Sequence, residues 1–155
     1  MAIIQDILIY ESGDGGELSL KNGDIETVQS ITNDVYLALF GGNIEQSTDN
    51  TILPGTIRED WWGNDLMPDN YFNSEFEKTL SMVALNSAGI KTLEDAALKD
   101  VDFLKRFGTV SVSVSILDID KMSIEVNLQE KDGTDRTIKF VFDRLKDEII
   151  EERKI

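Results

Sequence analysis

Apolar and polar residues alternate with a period of two over much of the C-terminal third of the chain. The alternating stretches are 110–116, 122–128 and 137–142. This period is typical of strands that bury one face. Turn-forming residues lie between the stretches, at 118–121 and at Asp132-Gly133. The sequence therefore predicts a three-stranded antiparallel meander over residues 109–142, with its apolar face packed on helices.

A second alternating region surrounds Asn22-Gly23 near the N-terminus. Both residues tolerate positive φ, so this dipeptide is a strong signal for a two-residue hairpin turn. We expect a β-hairpin over residues 17–29. Residues 1–16 are expected to form either a flexible arm or a further strand.

Helical spacing of apolar residues lies between the two alternating regions. Ser30 or Thr32 can cap the first helix, and Gly41-Gly42 is expected to end it. Residues 41–72 then form a long connection rich in Gly, Asn, Asp, Ser and Pro. A loop of this length inside a small domain is usually functional, so it is the first place to look for a binding site.

Two more helices are predicted before the meander. One begins at Asn73-Ser74 and ends at Gly89, and the next begins at Thr92 and ends at Gly108. Helices therefore account for residues 30–108 apart from the long loop.

Residues 143–155 follow the meander and are highly charged. Asp143 can cap a short helix that reaches Ile150, and the last residues are expected to fray. The elements together predict an α+β fold in a single domain over residues 1–155: an N-terminal hairpin, helices, the antiparallel meander and a short C-terminal helix.

Composition removes most routes to catalysis. The 155 residues include no cysteine and no histidine, so a disulfide, a thiolate site and an imidazole base or metal ligand are all excluded. Asp118 and Asp120 form a carboxylate pair, as do Asp132 and Asp135, but both pairs fall at predicted turns and lack the other ligands of a calcium loop. We predict a protein that is not an enzyme, with no catalytic, cofactor-binding or metal-binding residues and no small-molecule substrate.

The net charge of −15 is unevenly distributed along the chain. Residues 1–70 contain 13 acidic residues against two basic ones, a net charge of −11, whereas residues 71–155 contain 17 against 13. Such a field repels phosphate, so direct nucleic-acid binding is not expected. The apolar N-terminus lacks a basic region, and no run reaches the roughly 18 apolar residues of a membrane span, so we expect neither export nor membrane insertion.

Both tryptophans of the protein are adjacent, in Asp60-Trp61-Trp62-Gly63 shortly after Arg58. Tryptophan is enriched at interfaces because it buries a large area and keeps an N–H donor. Three interpretations stay open: the pair holds the loop to the protein's own core, one ring contacts a neighbouring protein, or the rings stack on a sugar. These five residues are our candidates for a protein interface.

Lys105 and Arg106 are two further interface candidates, at the end of the third predicted helix. Cations in that position complement the helix macrodipole, which explains them without a partner. They could equally contact an acidic protein.

Several short motifs occur in a fixed order. They are Asn22-Gly23-Asp24, Leu39-Phe40-Gly41-Gly42-Asn43-x-Glu45, Asp60-Trp61-Trp62-Gly63-Asn64, Asn73-Ser74-Glu75, and residues 93–100 with Phe103-Leu104. This ordered set, followed by the strands, resembles the Mu-type tail protein family of contractile bacteriophages over residues 17–142. That family is a component of the baseplate wedge.

The same family is distantly similar to the GPW group of wedge and sheath-initiator proteins, which also occurs in type VI secretion and tailocin baseplates. The Pro-Gly, Arg and later Gly of that group's loop are echoed by Pro54-Gly55, Arg58 and Gly63. Its Glu-Pro-Arg signature before the strands is missing, since residues 104–109 read Leu-Lys-Arg-Phe-Gly-Thr.

The resemblance implies a mechanical role. It predicts a virion structural protein of the contractile-tail baseplate, or of a prophage-derived injection particle, that is made and assembled in the bacterial cytoplasm. Its partners would be other wedge, hub and sheath proteins, and it would help to initiate or hold the sheath. The alternative that follows from the charge alone is a small acidic binding or inhibitory module whose N-terminal half captures a basic partner.

Overall fold

The computed structural model describes residues 5–12, 15–18, 20–43, 64, 66, 72–146 and 148–154. Contacts divide the chain into two units. The first comprises the described residues up to Asp34 together with those from Leu104 onward, and the second comprises those within Val35–Phe103. The second unit is therefore inserted, in sequence, between the two segments of the first.

The N-terminal part of the first unit forms short antiparallel ladders. Its strands are β1 (Gln5–Ile7), β2 (Ile9–Ser12), β3 (Gly15–Leu18), β4 (Leu20–Lys21), β5 (Asp24–Ile25) and β6 (Thr27–Gln29). They pair as β1–β6, β2–β3 and β4–β5. Asn22 and Gly23 connect β4 to β5 with φ values of 55° and 84°, as a hairpin turn with two positive φ angles requires.

The predicted turn is confirmed, but the single hairpin over residues 17–29 is wrong in its extent. Only two residues on each side of the turn pair with each other. The outer residues pair instead with residues 5–12, because β1 takes β6 as its partner and β2 takes β3. The described part of residues 1–16 therefore consists of strands rather than a flexible arm.

The C-terminal part of the first unit is a four-stranded antiparallel sheet. Its strands are β7 (Gly108–Asp118), β8 (Lys121–Glu130), β9 (Asp135–Asp143) and β10 (Glu148–Lys154), in the spatial order β10-β9-β8-β7. The predicted meander and the α+β fold class are confirmed. Both predicted turns are confirmed too: Asp118 pairs with Lys121, and Gly133 has a φ of 90°.

The two faces of this sheet differ in chemistry, as the period of two requires. Cross-strand rows on the apolar face are Val114–Ile124–Phe140 and Val112–Val126–Ile138. On the opposite face, Lys139 Nζ lies 2.9 Å from Glu125 Oε1, and the Thr137 hydroxyl donates to Asn127 Oδ1 at 2.6 Å. A one-residue slip in register would exchange the faces, so this pattern fixes the pairing.

The predicted C-terminal helix is wrong, because residues 148–154 form β10. Asp143 does cap a turn: its Oδ1 accepts from the backbone N–H groups of Leu145 and Lys146 at 3.1 and 3.2 Å. The chain then leaves that turn as an extended strand, in which Ile149 pairs with Phe142. The ladder formed with β9 outweighs the local tendency to continue as a helix.

Helix α1 (Ser30–Phe40) follows β6, and its predicted end and apolar stripe are confirmed. Its predicted cap is wrong, because Ser30 and Thr32 both lie within the helix rather than before it. The stripe residues Ile31, Val35 and Leu39 are all buried. Gly41 donates to the Leu37 carbonyl at 2.9 Å, and Gly42 has a φ of 80°, the left-handed conformation that commonly ends helices.

The second unit contains helix α2 (Glu75–Met82) and helix α3 (Ser87–Asp100), and a 3-10 helix (Asp102–Arg106) follows. The predicted start of α2 is confirmed, since Ser74 Oγ accepts from Glu77 N at 2.9 Å. Its predicted end is wrong: α2 stops at Met82, and α3 begins at Ser87, before Thr92.

Gly89 was predicted to end a helix, yet it lies in the first turn of α3. Asn86 caps this turn by accepting from the N–H groups of Ala88 and Gly89. A Cβ on Gly89 would lie 1.9 Å from the Ala84 carbonyl oxygen, so glycine is required there by a close approach of the backbone.

Gly108 is likewise not a helix terminator. It is the first residue of β7, and a Cβ there would lie 1.9 Å from the Gln129 carbonyl oxygen of the paired strand. Close backbone approach again explains the glycine.

Candidate functional site

Arg58, Asp60, Trp61, Trp62 and Gly63 lie outside the described residues, so the predicted interface on the tryptophan loop stays a prediction. The residues that the structure describes around this loop show how its two ends are held. All of these contacts belong to the second unit.

Asn64 directly follows the tryptophan motif and is held by two hydrogen bonds to one residue. Its Nδ2 donates to the Phe72 carbonyl at 2.7 Å, and its Oδ1 accepts from the Phe72 N–H at 2.8 Å. The Asn64 side chain is buried, and the Phe72 ring makes an edge contact with Phe103 at 6.5 Å between centroids. Asn64 is buried and Phe72 is half-buried, so this pair fixes the chain just after the tryptophan motif.

A second closure joins the beginning of the long connection to its end. Ser74 N donates to the Gly42 carbonyl at 2.9 Å, and Asn43 Nδ2 donates to the Ser74 carbonyl at 2.8 Å. The side chains of Asn43 and Ser74 are fully buried. Buried polar groups are costly unless hydrogen-bonded, so these bonds fix the base of the loop firmly.

Two further contacts tie this base to the ends of helices. The Ser74 hydroxyl donates to the Leu39 carbonyl at 2.6 Å in the last turn of α1 and caps α2 at the same time. Glu77 accepts from the Gly42 N–H at 2.7 Å. We call Gly42, Asn43, Ser74 and Glu77 the loop base.

Asp100 supports the same region from the end of α3. Its two carboxylate oxygens accept from the backbone N–H groups of Glu75 and Phe76, at 3.1 and 2.7 Å. These are unpaired donors at the start of α2, where negative charge is favoured. Burial nevertheless raises the pKa of Asp100 to about 6, because it outweighs these two hydrogen bonds.

Lys105 and Arg106 lie in the last turn of the 3-10 helix, in the first unit, and both side chains are exposed. The Arg106 guanidinium lies 4.6 Å from the centroid of the Phe107 ring. Burial raises the pKa of Asp34, and the positive charge of Arg106 opposes that rise. Arg106 thus has an intramolecular role.

A cavity of about 220 Å³ lies in the first unit, between the apolar face of the sheet and the start of α1. Its lining residues are Gln29, Ile31, Thr32, Leu104, Val126, Leu128, Arg136, Thr137 and Ile138. The walls are mainly apolar, and its polar groups come from the end of β6, the first turn of α1 and β9. Neither the hydrophobic pattern nor the motifs indicated this cavity.

Arg136 borders the cavity and is paired on both sides. Its Nε donates to Glu130 Oε1, and its Nη1 donates to Gln29 Oε1. The Glu130 side chain is 7% exposed and that of Arg136 is 22% exposed. The positive charge is therefore balanced within the protein, and the cavity border has no excess charge.

Sequence reasoning missed the roles of Asn43, Asn64, Ser74 and Asp100. All four belong to the motifs of the resemblance, so the motifs did identify these positions. Their function of closing a loop could not be read locally, since the hydrogen-bonded partners are up to 35 residues apart. Asp100 closes the motif 93–100, but nothing in that motif indicated its contacts with Glu75 and Phe76.

The described residues also bear on metal binding and on membrane crossing. No group of three or more His, Cys, Asp or Glu residues there could hold a metal ion. No helix within the described ranges is long and apolar enough to cross a membrane.

Comparison with known proteins gives no relative on which to base a function. No protein-family model matches the chain, and neither the curated proteins nor the solved structures contain a match.

Proposed function

We propose that this protein is a structural component of a contractile-tail baseplate, a wedge protein that helps to initiate or hold the sheath. The observation that carries this proposal links sequence and structure. Three of the motifs by which the chain resembles the Mu-type tail family contribute Asn43, Asn64 and Ser74, the buried residues that close the long connection. These motifs therefore include the residues that hold the ends of the long connection.

A loop closed in this way is suited to binding another protein. Asn64 and the loop base fix the described residues on either side of the segment that carries Trp61 and Trp62, and fixed ends lower the entropic cost of binding through such a segment. Large aromatic side chains on such a segment are the usual centres of protein interfaces. The loop therefore supplies the docking element of the proposed wedge subunit.

Exposed apolar residues in the first unit are consistent with contacts to neighbouring subunits. Ile119, in the turn between β7 and β8, is 82% exposed, and Leu145 is 79% exposed. Their turns are adjacent, because Arg144 N donates to the Asp120 carbonyl at 2.7 Å. Large apolar residues exposed side by side commonly mark surfaces that another protein covers.

Genetic complementation tests the proposal. A strain that produces contractile particles should lose assembled tails when this gene is deleted, and the wild-type gene should restore them, with the protein present in purified particles. A Lys91→Ala variant is the matched control, since Lys91 is exposed and pairs with Asp95 along its own helix. Normal contractile particles from the deletion strain would refute the proposal.

The charge favours one second candidate, an acidic binding module. The net charge of −11 in residues 1–70 would attract a basic protein, and such binding weakens with salt. Charge reversal at exposed Asp6 and Asp24 tests this function separately from tail assembly. If capture of a basic protein is unaffected by both the reversal and the salt concentration, this candidate fails.

A further inference from the structure

The cavity of the first unit carries hydrogen-bond donors that the fold leaves unused. Thr32 is only 5% exposed and lines the cavity, yet among the described residues its hydroxyl has no hydrogen-bond partner. Ser123 Oγ is the one fully buried side-chain oxygen or nitrogen of the described residues that lacks a partner, so the Thr32 hydroxyl remains accessible to a small molecule.

Arg136 and Gln29 add further donors at the same border. A guanidinium has five N–H donors, and Arg136 uses two of them, on Glu130 and on Gln29. Gln29 accepts through Oε1, which leaves its NH₂ group without a partner among the described residues. Donor groups from β6, α1 and β9 therefore line the same cavity, and two of these residues, Gln29 and Arg136, are hydrogen-bonded to each other.

The remaining walls exclude a fully polar occupant. Ile31, Leu104, Val126, Leu128 and Ile138 line the cavity and are each at least nine-tenths buried. A volume of about 220 Å³ exceeds the roughly 150 Å³ of an engineered apolar cavity that admits benzene. The space can therefore hold a compact ring or a short branched chain.

Charge decides between an anionic and a neutral occupant. Glu130 already neutralises Arg136, so an entering carboxylate would be a buried charge without a counterion, which is strongly unfavourable. A neutral oxygen acceptor can use the free donors without that cost. The donors also exclude a purely apolar ligand as the best fit, since they would stay unsatisfied.

We propose that this cavity is a binding site for a small uncharged molecule with a compact apolar body and one oxygen acceptor, such as a cyclic ketone. The acceptor lies beside Thr32, Gln29 and Arg136, and the apolar body packs on the side chains of Val126 and Leu128 in β8. This site is independent of the proposed tail role, because it lies in the first unit and uses none of the loop-base residues.

Ligand titration followed by NMR tests the site on the full chain. Cyclohexanone is the probe, with cyclohexanecarboxylate and cyclohexane as its charged and apolar analogues. We expect saturable shifts of the Thr32, Val126 and Leu128 resonances with cyclohexanone, and weaker binding of both analogues. Absence of saturable shifts at these residues overturns the proposal, and so does equal binding of cyclohexane, because the donors would then contribute nothing.

Two variants separate specific binding from general partitioning into the protein. Thr32→Val keeps the volume and removes the hydroxyl, so cyclohexanone should bind about three- to tenfold more weakly. Thr109→Val, at an exposed position of β7, is the control and should bind as the wild type does. Ile31→Phe fills the space and should abolish binding while the protein stays folded by circular dichroism. Unchanged affinity in Thr32→Val, or in a folded Ile31→Phe, overturns the proposal.

Discussion

The side-chain amide of Asn64 pairs with the main chain of Phe72 in the way that two strands pair with each other. One amide donates and accepts at 2.7 and 2.8 Å, so a single residue satisfies both backbone groups of its partner. This arrangement bridges eight residues and ends the segment that contains both tryptophans.

Asn64→Ala should destabilise the protein by about 2–4 kcal/mol. The substitution loses two hydrogen bonds and removes the Asn64 side chain as partner of the N–H and the carbonyl of Phe72, in a half-buried position. Urea unfolding measures the change in the free energy of unfolding. Leu66→Ala is the control, since Leu66 is 75% exposed and should change stability little. Equal stability of the two variants would show that the pair contributes nothing.

The adjacent tryptophans should divide two roles between them. Of Trp61→Ala and Trp62→Ala, we expect one to lower the free energy of unfolding by a few kcal/mol, as truncation of a core aromatic does. The other should melt like the wild type and still impair tail assembly. Thermal melts and a complementation assay of both variants test this. If both are stable and assemble normally, neither ring anchors an interface.

Asp100 should make the protein more stable as the medium is acidified from neutrality. Its pKa of about 6 in the folded protein exceeds the ordinary value of 3.8, so between about pH 6 and 4 the native state binds the proton more strongly than the unfolded chain does. This contribution to stability is fully present below about pH 4 and is lost as pH rises through 6. Partial exposure reduces it to about 1–2 kcal/mol.

The pH dependence of urea unfolding in wild type and in Asp100→Asn isolates this contribution. The difference between the two proteins should change between pH 7 and pH 5, while the other carboxylates affect both alike. A carboxyl carbon titration by NMR reports the pKa directly. A midpoint near 4 for Asp100 would contradict the prediction.

Gly89→Ala should destabilise the protein although alanine is the better helix former. Helix propensity alone would favour alanine by about 1 kcal/mol. The new Cβ would lie 1.9 Å from the Ala84 carbonyl oxygen, and the backbone shift needed to relieve this contact should cost about 1–3 kcal/mol more than the propensity gains. Ser87→Ala, exposed in the same helical turn, should be nearly neutral in the same melting experiment.

The elements that the sequence predicted well are those whose signal is local. Asn22-Gly23 specifies its own turn, and the alternation of β7 and β8 gives the apolar face without knowledge of the partner strand. The elements it predicted wrongly depend on distant pairing. Asp143 makes the same capping contacts in a turn as in a helix, so only the ladder between Ile149 and Phe142 shows that a strand follows.

The candidate site likewise combines features that the local sequence indicated with features that depend on distant contacts. The motifs include several positions that the structure shows to be fixed, whereas the tryptophan loop stays a prediction because residues 44–63 lie outside the described residues. Composition and motifs did not reveal that Asn43 and Ser74 meet, because that contact joins residues 31 apart, nor that Thr32 lines a cavity. Glycines gave the least dependable signals: Gly42 ends a helix, whereas Gly89 and Gly108 are required by close backbone contacts.

The hydrogen bond between Ser74 and Gly42 brings the entry and the exit of the long connection together independently of what lies between them. The entropic cost of closing a loop rises only slowly with its length. The bond between Gly42 and Ser74 can therefore be kept when the intervening segment gains, loses or exchanges residues, provided that Asn64 and Phe72 keep their hydrogen-bonded pair. Partner specificity can therefore diverge quickly through this connection while the helices on either side of it stay constant.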